Sequence, residues 1–208
     1  PRLAPIHVAI VPIFRKEEER SAVMEAANRV AGELRADGLT VEIDDREGLK
    51  PGAKYYHWER KGVPLRLEIG PRDIADGVVM AKRRVAELDE RGRPMKEKIP
   101  MDGIGVAIGK VLDELQVDLY ERALARREAD TFSVDSWDDF QAMYTNGTSK
   151  FVYAHWDGTT ETELAIKQAT KATIRCVPLP GEGPELETGV CIHSGKPSAQ
   201  RVLFAKNY

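Results

Sequence analysis

Between Pro5 and Ile13 nearly every side chain is apolar and several are β-branched, with a proline at the start and another near the end. That run predicts a short strand buried on both faces. Val23, Ala27, Val30 and Leu34 then recur at helical spacing, after acidic Glu17, Glu18 and Glu19 and before Gly38. The pattern predicts an amphipathic helix whose acidic first turn suits the positive end of its dipole. Leu39 to Asp44 alternates as a strand does, so the opening reads β-α-β, a unit whose right-handed crossover favours a parallel sheet. After a polar connection through Gly48, Pro51 and Gly52, Leu65 to Gly70 alternates again. This places Arg66 and Glu68 on one face and Leu65, Leu67 and Ile69 on the other. A turn at Asp76-Gly77 precedes a further strand, Val78 to Arg84.

The first domain is expected to end near Pro94 to Pro100. Ile104, Ile108, Val111, Leu112, Leu115 and Leu119 share one helical face, which predicts a long helix to about Arg127 that opens a second domain. Ser136 with Asp138 and Asp139 reads as a helix start before Phe140 and Met143. Phe151 to Trp156 is a buried strand, a helix carrying Leu164 and Ile166 follows Asp157-Gly158, and Thr173 to Val177 is another strand. A loop rich in Gly, Pro and Glu spans Pro178 to Gly189, and Arg201 to Ala205 closes the chain as a strand. The expected fold class is α/β: a mixed, largely parallel sheet flanked by helices over residues 1–100, then a small α+β domain over 101–208.

Composition narrows the functional classes. Of 208 residues, 42% are hydrophobic and 31% charged, the proportions of a soluble globular protein. No apolar run approaches the roughly 20 residues that span a bilayer, which argues against a membrane role. The start, Pro1-Arg2-Leu3-Ala4-Pro5, has no initiator Met, basic n-region or apolar h-region and reads as a cut inside a longer chain. A net charge of -3 excludes a generally basic surface but leaves room for a local cationic patch. Only Cys176 and Cys191 are present, which points to a reducing, cytoplasmic setting; two thiols cannot by themselves close a four-ligand metal site.

Candidate chemistry concentrates between Tyr55 and Arg84, where aromatic, acidic and basic residues interleave on what reads as a β-rich framework. Single-stranded RNA is recognised by that mixture: aromatic rings stack on unpaired bases, and Arg and carboxylates pair with base edges. Composition alone favours a solvated sheet face with Tyr56 and Trp58 in the core or half-buried, since a charge cluster is usually a solvated face. The string Gly-Ala-Lys-Tyr-Tyr-His-Trp-Glu-Arg-Lys-Gly-Val-Pro-Leu-Arg-Leu-Glu-Ile-Gly-Pro-Arg-Asp, from Gly52 to Asp73, closely resembles the anticodon-binding domain of prolyl-tRNA synthetases of the archaeal and eukaryotic type. The resemblance continues through Ser194-Gly195-Lys196-Pro197-Ser198 and Leu203-Phe204-Ala205-Lys206 to Tyr208.

That resemblance implies a module reading the two guanines at the second and third anticodon positions of proline tRNA. The residues at the matching places are Tyr55, Glu59, Arg66, Arg72 and Asp73, with Lys82, Arg83 and Arg84 as phosphate contacts and Tyr56 as the alternative exposed ring. It also implies that Tyr208 supports an active site from a distance, that the full-length enzyme uses ATP and Mg, and that it dimerises mainly through its catalytic core. Many relatives hold a structural zinc with four cysteines; Cys176 and Cys191 occupy two of those places, and around Cys191 only His193 and Ser194 are at hand, so the zinc site reads as vestigial. His7, His57 and His155 sit in or beside apolar segments and read as core or edge residues. No nucleophile-base-acid set, phosphate-binding glycine loop or paired catalytic carboxylates stands out. The fragment alone is therefore expected to bind tRNA without aminoacylating it; the competing reading is a free-standing α/β adaptor on the same fold. Elemental analysis of protein purified without added metal should find well under one zinc per chain, and a stoichiometric zinc would overturn the vestigial reading.

Overall fold

A computed structural model describes residues 1–145, 150–181 and 183–206. The chain divides into two compact units, Pro1–Glu121 and Arg122–Tyr208.

The first unit follows the anticipated β-α-β opening: β1 (Val8–Pro12), α1 (Glu17–Ala36) and β2 (Val41–Ile43). It continues through α2 (Pro51–Arg60), β3 (Leu65–Ile69), α3 (Pro71–Asp76), β4 (Val78–Arg83), β5 (Glu97–Pro100) and most of α4 (Ile104–Ala129), whose residues from Arg122 on belong to the second unit. The strands form one five-stranded sheet in the order β2-β1-β3-β4-β5. β1 pairs parallel with both β2 and β3, and β4 and β5 then add antiparallel, so the sheet is mixed. One face, carrying Val8, Ile10, Leu65, Leu67, Val79 and Ile99, is sealed by apolar side chains of α1 and α4. On the other face α2 covers β1, where Trp58 packs with Ala9, Val11 and Val63.

Two local readings change. The stretch around Tyr55 is helical rather than part of a β-rich framework: Pro51 sits in its first turn, where its missing N–H costs nothing. Residues 71–76 form a short helix where only a turn at Asp76-Gly77 was expected. Pro71 opens it, Asp73 Oδ2 accepts from the Gly70 N–H at 2.8 Å, and Gly77 ends it at φ 67°, a left-handed cap that glycine adopts without strain. Sequence placed the boundary near residue 100, with the long helix opening the second domain. Contacts place Ile104, Ile108, Val111 and Leu112 in the core of β1 and β3, so the first compact unit runs on to Glu121.

The second unit contains β6 (Thr131–Ser133), α5 (Trp137–Thr145), β7 (Phe151–His155), α6 (Thr160–Thr170), β8 (Ala172–Cys176), β9 (Gly189–Val190), β10 (Pro197–Ser198) and β11 (Arg201–Lys206). Four strands order as β6-β7-β11-β8, while β9 and β10 make a separate antiparallel pair. Phe140 and Phe204, both fully buried, meet edge to face at 5.0 Å in a core that includes Val152, Ala154 and Ile166. Gly189 passes so close to the buried His155 ring that a Cβ there would collide with it.

Asp157 ties this unit together. Its carboxylate accepts from Thr162 Oγ1 at 2.8 Å, from Thr159 Oγ1 at 2.9 Å and from the Ser194 hydroxyl at 2.6 Å. It thereby joins the start of α6 to the turn after Cys191, whose Sγ accepts from the Ser194 N–H at 3.5 Å. Desolvation raises the Asp157 pKa, but the hydrogen bonds from Ser194, Thr159 and Thr162 outweigh it and hold the carboxyl well below the ordinary carboxylate range. A depressed folded pKa contributes stability that is present at neutral pH, begins to fade as pH drops past the unfolded value of about 4, and is lost on falling through the folded value. Asp157→Asn should therefore destabilise the chain by roughly 1–3 kcal/mol at pH 7, as for a lost charged hydrogen-bond acceptor. The difference from the parent should shrink in acid, which urea denaturation at a series of pH values checks.

Candidate nucleic-acid interface

The sheet face bearing Arg66 and Glu68 carries, through register, a patch of mixed polar character. Arg66 lies opposite Lys82 and Glu68 opposite Met80 on β4, and Met80 lies opposite Lys98 on β5. Lys96 and Lys98 are exposed there, and Met80 and Lys82 are half-buried.

Arg66 is the centre of this patch. It is 6% exposed, Nη1 donates to Glu59 at 3.0 Å, and Nη2 donates to Glu68 at 3.0 Å. Its guanidinium carbon stands 3.7 Å from the centroid of the Tyr55 ring, a close cation–π stack. Tyr55 and Glu59 reach it together because they are four apart on α2, one turn along the same face. Each carboxylate has a second cation: Glu59 accepts from Lys82, and Glu68 Oε2 accepts from Lys96 at 2.7 Å. Desolvation pushes both carboxyl groups up, but Lys82 and Arg66 around Glu59, and Lys96, Tyr55 and Arg66 around Glu68, hold them below their ordinary values. Burial, reinforced by Glu68, pushes the Tyr55 phenol well above its usual pKa and keeps it a neutral donor. Among the described residues, Arg66 Nε is the one buried side-chain nitrogen or oxygen without a hydrogen-bond partner.

The other expected contacts fall around this centre to different degrees. Asp73 lies near enough to Tyr55 to raise its pKa, although one oxygen is occupied in capping α3. Arg72 is exposed beside it, on the rim of a cleft of about 470 Å³ that also takes in Phe14 and Arg15. Lys82 belongs to the patch, and Arg84 is exposed at the end of β4. Arg83 does not belong: it alternates to the other face, where it pairs with Glu97 and Glu114, both at 2.7 Å. Tyr55 is largely enclosed, and Tyr56 is the open ring at 63% exposure. Tyr208 lies outside the described residues. Cys176 is exposed and Cys191 buried. Among the described residues, no group of three or more His, Cys, Asp or Glu side chains is placed to hold a metal ion, and no helix is long and apolar enough to cross a membrane.

Residues 7–116 match the anticodon binding domain family, and residues 137–208 match the C-terminal family of prolyl-tRNA synthetases. The chain belongs to the anticodon binding domain family, in its prolyl-tRNA synthetase branch. Its relatives align over all 208 residues. A proline--tRNA ligase of Porphyromonas gingivalis is 42% identical, covering 100% of this chain and 40% of that protein. One of Roseiflexus sp. strain RS-1 is 44% identical, covering 100% and 41%. The chain thus spans about 40% of the length of these curated relatives. The crystal structure of prolyl-tRNA synthetase from Cryptosporidium parvum complexed with L-proline and AMP superposes with a TM-score of 0.84 at 32% identity, over 100% of this chain and 42% of that one.

Asp44 and Lys96 went unrecognised in the sequence of this anticodon-binding unit. Asp44, just past β2, is buried and accepts from Trp58 Nε1 at 2.8 Å and from Arg46 at 2.6 Å, while its carbonyl accepts from Lys54 Nζ at 2.8 Å. This fixes α2, and with it Tyr55 and Glu59. No spacing signal marks it, because Trp58 and Lys54 lie on a helix that the residue pattern does not predict. Lys96 was hidden for a similar reason, since the antiparallel step from β4 to β5 was not anticipated. Asp44→Ala would strand the buried Trp58 donor and remove the carboxylate 3.9 Å from the Lys54 ammonium, which keeps its bond to the backbone carbonyl; it should cost at least about 1–3 kcal/mol in urea denaturation and shift the Trp58 fluorescence.

Proposed function

We propose that this chain is the tRNA-reading portion of a proline--tRNA ligase. It recognises the anticodon of proline tRNA for an enzyme that attaches L-proline to that tRNA, with ATP and Mg serving the catalytic core, as a homodimer in the cytoplasm. The observation that carries this reading is the Arg66 patch: a guanidinium stacked on an aromatic ring, flanked by carboxylates and ringed by lysines, in a chain aligned throughout with proline--tRNA ligases.

The chemistry suits guanine. Its O6 and N7 accept from Arg66 or Arg72, and its N1 and N2 donate to Glu59 or Asp73, whose carboxylates have lone pairs beyond those already engaged. Tyr56 offers an open ring for a neighbouring base, and Lys82 and Arg84 offer cations to the backbone. Affinity in this scheme falls with salt, because phosphate contacts release counterions.

Arg66→Ala and Asp73→Ala should each weaken binding of proline tRNA by roughly 1–3 kcal/mol while leaving anticodon-swapped tRNA little changed. Equal losses on both RNAs in filter binding would reject base reading. Incubated with ATP, proline and tRNA, the 208-residue chain should form neither prolyl-adenylate nor charged tRNA. Either product, with full-length enzyme excluded, would show catalysis within this chain.

A further inference from the structure

The two carboxylates that hold Arg66 differ in burial. The Glu59 side chain is 42% exposed and reaches Arg66 from a helix, whereas the Glu68 side chain is 6% exposed and rises from β3, two residues from Arg66 on the same strand face. A carboxylate open to solvent exchanges partners at little cost, because water or a ligand replaces what it gives up. One desolvated beside its cation leaves an uncompensated buried charge if it lets go. Glu59 is thus free to turn from Arg66 toward a base donor, and Glu68 is not.

We infer that Glu68 is a positioning residue for anticodon reading: it pins the Arg66 guanidinium against Tyr55 when Glu59 exchanges Arg66 for guanine. Arg66 Nη2 remains on Glu68 Oε1, while Nη1, released by Glu59, is the donor left for a base. The second oxygen of Glu68 is held by Lys96, which stands 5.5 Å from the Tyr55 centroid, so one buried carboxylate fixes two cations beside that ring. Arg66, Lys82 and Lys96 against Glu59 and Glu68 leave the cluster one positive charge in excess, which suits an RNA ligand.

This inference rests on reading the patch as an anticodon site, and the experiment separates the two. The 208-residue chain is titrated with an RNA hairpin carrying the proline anticodon loop and with the same hairpin whose anticodon guanines are adenines. Failure of the parent chain to prefer the first hairpin defeats the reading itself. If the parent discriminates, folded Glu68→Gln should lose about tenfold in affinity for the guanine hairpin and little for the adenine one. Full discrimination by that variant, or equal weakening of both RNAs, overturns the positioning of Arg66 by Glu68. If Glu68→Gln does not fold, NMR of the parent decides. The Arg66 Nη2 protons should stay protected throughout the RNA titration while the Nη1 protons shift, and loss of Nη2 protection on binding overturns the inference.

Discussion

A guanidinium in a protein interior is stable only if carboxylates and a polarisable surface replace the water it gives up, and the first unit is organised around meeting that demand for Arg66. The demand constrains three elements at once. β3 must present Arg66 and Glu68 on one face, α2 must bring Tyr55 and Glu59 over it, and β4 and β5 must supply Lys82 and Lys96 to balance the two carboxylates. Asp44 extends the same logic one step outward. By binding Trp58 and Lys54 it fixes the rotation of α2 and so the side from which Tyr55 approaches.

Such a centre contributes geometry more than strength. Buried ion pairs contribute modestly to stability relative to apolar packing, but they fix directions in space. Most of the apolar packing is on the opposite face, where α1 and α4 close over the sheet, while on the Arg66 face a smaller cluster around Trp58 covers β1 and leaves the patch half-open. The larger apolar core and the Arg66 patch thereby lie on opposite faces of one sheet. A change at Lys96 alters charge near solvent without reaching the core between the sheet and α1.

The second unit solves a smaller problem by hydrogen bonding. Asp157 gathers two threonines of the α6 start and Ser194 of the turn after Cys191, so a loop-rich stretch with few apolar residues is still held in place. Phe140 and Phe204 provide the packed centre.

Much of this was legible in the residues themselves. A continuous apolar run located β1, period-3.6 patterns located α1 and α4, and the alternation through Leu65 to Ile69 located β3 and assigned Arg66 and Glu68 to one face, because those signals depend only on neighbours along the chain. The string from Gly52 to Asp73 marked the region of the candidate site for the same reason. Helix α2 escaped because Trp58 and Lys54 face a partner, Asp44, that lies outside the helix, leaving no apolar stripe to read. Tertiary structure decided the rest. It turned Arg83 away from the patch, brought Lys96 into it through an antiparallel register, enclosed Tyr55 while exposing Tyr56, and carried the first core past residue 100 to α4. Each of these depends on which distant segment supplies a counter-charge or an apolar neighbour, and that is fixed only when the sheet assembles.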